Sequence, residues 1–181
     1  MPGSVFLRGA SVGMMVVLQP DDLPKESQDE KHVILTVQPR IPAGTLRLVE
    51  LPAGMVDDGT FSGSAAKEIK EELGIEIPEK ELVNLSELGV PKLDNEEKLP
   101  QAMFPSGGGS DEYVPIFLHE KRVKRDTLKE WTGKLTGLSE HGEKISLKLC
   151  KLEDLWRDGG RDSKALAAWA MYEGLKREGK L

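Results

Sequence analysis

Between Leu51 and Ile75 the chain reads LPAGMVDDGTFSGSAAKEIKEELGI, and this stretch constrains the fold more than any other. An apolar start, a turn-rich DDGT loop and a proline-free run predict a strand end, a loop and then a helix. Gly74 follows the last periodic residue, where a helix stops most easily. On that helix Glu68, Glu71 and Glu72 stand three and four residues apart, so their carboxylates share a face. Such like charges repel, and a helix carries them at little cost only under water or a cation. Runs of Glu and Lys are ordinarily a solvated face, and Lys67 and Lys70 neutralise part of this one. The alternative is magnesium, which takes hard oxygen ligands from one or two carboxylates plus a substrate phosphate.

The layout resembles the Nudix box, G-x5-E-x7-R-E-U-x-E-E-x-G-U with U aliphatic. Gly54 takes the first glycine position and Lys67 the arginine position, while Glu68, Ile69, Glu71, Glu72, Gly74 and Ile75 match the remainder. Two further departures stand out. Thr60 occupies the place of the first glutamate, and the spacer from it to Lys67 is one residue short. In the family that glutamate mainly supports the arginine, so the departures touch the loop brace and spare the metal carboxylates.

With 181 residues the chain is most simply one domain over residues 1–181, long enough to bury about 70% of its unfolded surface. A net charge of −6, with acids spread between lysines, argues against nucleic acid, which calls for a basic stripe. The single cysteine, Cys150, excludes an internal disulfide and fits a reducing compartment. It adjoins an alternating apolar run, which favours packing over nucleophilic chemistry. The longest apolar run, Met14 to Leu18, is far too short to span a bilayer, and the N-terminus lacks a signal or transit pattern. A soluble intracellular protein, in the cytoplasm, is expected.

In chain order, Val5 to Leu18 begins mixed and becomes continuously apolar, which reads as a buried strand preceded by breaks at Gly9 and Gly13, and Gln19 to Lys31 reads as a surface loop. Val33 to Arg40 alternates as a second strand, Ile41 to Gly44 makes a turn, and Leu46, Leu48 and Glu50 form one face of a third strand. Beyond the box, Glu81 to Leu88 is expected to be a strand. Pro91 to Gln101 is a charged loop, and Met103 to Glu112 a glycine-rich one bordering the site. Tyr113 to Val123 and Lys144 to Leu152 are expected strands. A short acidic helix at Glu153 to Arg157 precedes a final helix, capped by Asp162 or Ser163 and running to about Arg177. On that helix Ala165, Ala168, Trp169, Tyr172 and Leu175 share an apolar face. His32, His119 and His141 are scattered, which argues against a histidine metal site.

The likeness extends past the box. RIPAG before LPAGM, FPSGGGSDE, GKLTGLSEHGE and LAAWAMYEGLKREG together resemble the plant and fungal ADP-sugar diphosphatase branch of the family. That resemblance implies an α/β fold, the Nudix α/β/α sandwich with a mixed central sheet. It implies hydrolysis of a nucleoside diphosphate sugar, of ADP-glucose or ADP-ribose type, at the pyrophosphate. The implied cofactor is Mg2+, with Mn2+ able to substitute, held by Glu68, Glu72, Glu71 and the Ala53 carbonyl. Glu143 is the expected base with Glu140 as alternative, and Glu71 joins it in catalysis. Arg40, Glu50, Gly54 and Glu112 are expected at the substrate, Arg40 because its guanidinium fork suits phosphate oxygens. Relatives often dimerise through extra N-terminal strands, and only four residues precede Val5, so a homodimer is an open expectation. Two alternatives remain: a Nudix-fold binding module that senses a nucleotide sugar without cleaving it, and a hydrolase of another nucleoside diphosphate derivative.

Overall fold

A computed structural model of the chain describes residues 3–56, 60–93, 98–136 and 145–181. Its centre is β1 (Ser11–Pro20), buried along its whole length. Both faces of this strand are covered, so its sequence is nearly continuous apolar residues rather than an alternation. Met15 and Val17 point into one core, and Val12, Met14, Val16 and Leu18 into the other.

Strand β2 (His32–Arg40) runs antiparallel to β1 but pairs with it only at Val17–Val33 and Leu18–His32. From there the two strands part. β3 (Thr45–Glu50) takes the place beside β2, with Thr36 opposite Glu50, and β4 (Ala53–Met55) takes the place beside β1, with Gly13 opposite Ala53. The consequence is a fork whose apex lies at Leu18 and His32. Two strands follow on the β1 side: β5 (Val83–Asn84), then β6 (Ile116–Val123), which runs parallel to β1 and lies between it and β5. On the far side of β2 come β8 (Ile145–Lys151) and then β7 (Leu135–Thr136), completing an eight-stranded mixed sheet.

Helices cover both faces, which gives the α/β/α sandwich that the resemblance implied. One layer holds α2 (Leu85–Gly89), α4 (Leu155–Asp158) and α5 (Ser163–Arg177), whose Leu85, Leu155, Ala165, Ala168, Tyr172 and Leu175 pack on Val33, Leu35, Ile116 and Leu118. The other layer holds α1 (Phe61–Glu68) and α3 (Arg125–Trp131), with Ala65, Ile69 and Leu73 against Met14, Val16 and Phe117. Burying each large aliphatic side chain here contributes about 1.5–3 kcal/mol. Among the described residues no helix is long and apolar enough to cross a membrane.

Several expectations need correction. The first strand follows a break at Gly9, which adopts φ +83°, as expected, but it begins at Ser11 and runs through Gly13 without a second break; Phe6 makes only an isolated bridge to Ser110. The expected strand over Glu81 to Leu88 is a two-residue β5 followed by α2, since Asn84 Oδ1 accepts from the Glu87 N–H and turns the chain into a helix. Regular pairing on β6 starts at Ile116, after Pro115, which has no N–H to offer; Tyr113 and Val114 form isolated bridges. The acidic helix is split into a 3-10 turn at Leu152–Asp154 and α4. The final helix matches its expectation, with Asp162 as cap and Ser163–Arg177 as span.

Candidate active site

The mouth of the fork is a cleft of about 320 Å³. Ala53, Gly54 and Met55 of β4 form its floor, Glu68 and the turn carrying Glu71 and Glu72 form one side, and Gln38, Arg40 and Lys164 form the other. Arg8, Ser11 and Glu112 close it at the β1 end.

The acidic side is built by α1. Thr60 caps it, its Oγ1 accepting from the Gly63 N–H at 3.0 Å, so the residue standing in place of the family glutamate starts the helix instead. After Glu68 the helix widens into a π turn, Ile69–Leu73, and ends at Gly74 in the left-handed region, φ +69°. π turns are rare and often mark functional sites. Here the turn buries Ile69, Glu72 and Leu73 together. Glu72 Oε2 accepts from the Ala53 N–H at 3.2 Å, joining helix to floor. Burial, reinforced by the charges of Glu68 and Glu50, pushes the Glu72 carboxyl up to about 8. Glu68 lies over Gly54, leaving no room there for a side chain. Glu71 is less buried and faces Lys67 at 3.9 Å.

The opposite side is a chain of charges. Arg40 Nε donates to Glu50 Oε1 at 2.7 Å, and Lys164 Nζ lies 3.5 Å from Glu50 Oε2 and 2.8 Å from Asp162 Oδ1. Glu50 is only 3% exposed, so its charge is held by two cations. Asp162 caps α5 through the Lys164 N–H, while its Oδ2 accepts from the buried Leu51 N–H at 2.7 Å. One carboxylate thus joins the last helix to the strand end entering the box. At the third side, Glu112 Oε1 accepts from Arg8 Nε at 2.9 Å and Ser11 Oγ at 2.8 Å.

Of the residues expected at the site, Ala53, Gly54, Glu68, Glu71, Glu72, Arg40 and Glu112 line this one cleft, and Glu50 is bonded to its wall. Glu143 and Glu140 lie outside the described residues. Arg8, Ser11, Gln38, Asp162 and Lys164 were not expected. The donor set of carboxylates and backbone carbonyl, free of thiol and imidazole, fits a hard divalent cation. Among the described residues no three acidic, imidazole or thiol groups stand together as a cation cage. A larger cavity, about 610 Å³, opens at the far end of the sheet around Lys31, His32 and Tyr172. Its acids and bases are mixed, with Lys151 paired to Glu153, so size does not make it the reactive site.

Residues 25–170 match the NUDIX domain family. The chain belongs to the Nudix family. Over 180 residues this Nudix chain is 39% identical to a protein of Arabidopsis thaliana described as Nudix hydrolase 14, chloroplastic. The match covers 98% of the chain and 53% of that relative, so the chain spans about half the length of the curated relative it matches. A solved structure described as an ADP compounds hydrolase shares the Nudix chain's fold, with a TM-score of 0.54 and 19% identity over 94% of this chain and 76% of that one.

Proposed function

We propose that this Nudix chain hydrolyses the pyrophosphate bond of a nucleoside diphosphate sugar, of ADP-glucose or ADP-ribose type, to a nucleoside monophosphate and a sugar phosphate. One observation carries the reading. A buried carboxylate, Glu72, fixed to the Ala53 N–H, shares a single cleft with Arg40 and Lys164. An acidic side suits divalent cations and a basic side suits phosphate, and a diphosphate ester needs both. The structural neighbour described as an ADP compounds hydrolase supports a substrate of this class.

Glu68, Glu72 and Glu71, with the Ala53 carbonyl, would hold Mg2+, and Mn2+ would substitute. The cation's chemistry is that of a Lewis acid, which neutralises phosphate oxygens and makes bound water acidic. The protein's residues do the rest. Arg40 binds a phosphate oxygen or the distal sugar, and Glu50 orients Arg40 while offering an acceptor to a ribose or base. Gly54 lets the substrate approach the floor closely, and Glu112 borders the sugar. Glu143 takes the proton of the attacking water, with Glu140 as its alternative, and Glu71 assists at the same face.

Residues 1–181 are read as a single Nudix domain, and dimerisation is decided by light scattering. A cytoplasmic setting and the chloroplastic one of the relative's description are separated by imaging a fluorescent fusion. The decisive assay incubates the protein with magnesium and a panel of nucleotide sugars and dinucleotides. AMP released from ADP-glucose or ADP-ribose supports the reading; a substrate bound and left intact makes the chain a binding module instead.

A further inference from the structure

We infer that Lys164 is a substrate-contacting residue of this cleft, whose ammonium takes a phosphate oxygen from the layer opposite the carboxylates. The inference rests on reading the cleft as a diphosphate site. Lys164 belongs to α5 and the carboxylates to the α1 segment, and these helices pack on opposite faces of the sheet. At the fork both reach one cleft.

Three observations single this lysine out. Its side chain is 16% exposed, against 46% for Arg8 and 41% for Arg40, the other cations lining the cleft. Its ion pairs with Asp162 and Glu50 let the stem be held that far from water while the ammonium lines the cleft. Second, Lys164 stands in the first turn of a helix, at the positive end of the helix dipole, where a cation is disfavoured and an anion welcomed. Asp162, the cap of the same helix, holds the ammonium there against the dipole, so this end of α5 presents an anchored cation to the cleft. Third, an ammonium has three donors. Asp162 Oδ1 takes one firmly at 2.8 Å, while Glu50 Oε2, at 3.5 Å, stands at the limit of a hydrogen bond. A charge-assisted bond to phosphate is shorter and stronger than that loose contact. Asp162 thus anchors the ammonium at the cleft and leaves it donors for a ligand.

The test compares wild type with Lys164→Met, Lys164→Gln and Lys164→Arg. Affinity for ADP is measured by calorimetry in magnesium, kcat and KM with ADP-glucose, and thermal midpoints alongside. Lys164→Met is expected to weaken ADP binding and raise KM by roughly tenfold or more, with a smaller change in kcat, and Lys164→Arg to restore most of the affinity. Should Lys164→Met fail to fold, Lys164→Gln, which keeps a neutral donor, carries the same expectation. A folded Met or Gln variant that binds ADP like wild type overturns the inference and leaves the function standing. Wild type that neither binds ADP nor cleaves ADP-glucose overturns the diphosphate reading itself, and this inference with it.

Discussion

Gly54 and Glu68 are packed so closely that a Cβ on the glycine would lie 1.7 Å from Glu68 Oε1. The clash falls on the far end of a flexible side chain, so the carboxylate rather than the backbone must move. Gly54→Ala is expected to leave the thermal midpoint within a few degrees while lowering hydrolysis by about 100-fold, the scale of an ångström's misplacement. Loss of fold with proportional loss of activity would contradict this.

Glu72 makes metal-free stability depend on pH in an unusual direction. Its folded value of about 8 lies above the ordinary 4.5, so between those values the folded protein holds more protons than the unfolded one. This contribution is fully present below the ordinary value and is lost as pH rises through the folded value. In chelator, thermal midpoints should fall across that window, and Glu72→Gln should flatten the slope and nearly abolish hydrolysis. Full activity in that variant would refute the assignment of Glu72.

Cation binding should displace the same proton. At pH 7 magnesium is expected to release roughly one proton per chain, read as a dependence of the calorimetric heat on the buffer's ionisation enthalpy. Equal heats in two such buffers would count against Glu72 as a ligand.

Asp162→Ala removes a helix cap and the acceptor of the buried Leu51 N–H together. The expected cost is about 2–4 kcal/mol in urea unfolding. Asp162→Asn, which can still cap, should cost less.

Cys150 is buried, and burial pushes its thiol up to about 12. Reaction with a disulfide reagent at neutral pH should be slow in the folded protein and fast in denaturant.

Much of this was legible in the sequence because it is local. The end of the box helix at Gly74, the span of α5 and its cap at Asp162 each follow from neighbours a few residues apart. Glu81 to Leu88 misled because neither of its faces is cleanly apolar, and one side chain, Asn84, decided for a helix. The π turn at Ile69 left no mark that periodicity could detect. The basic wall was hidden for another reason. Asp162 was legible only as a cap and Lys164 not at all, since their meeting with Leu51 and Glu50 spans more than a hundred positions. Arg8 and Ser11 likewise reach Glu112 only through the fold.

The joint between Leu51 and Asp162 also sets an order of events. The two are 111 positions apart, so a growing chain completes the acidic helix long before the residue that fastens the opposite wall has been made. The cleft therefore has both of its walls only once α5 lies on the sheet.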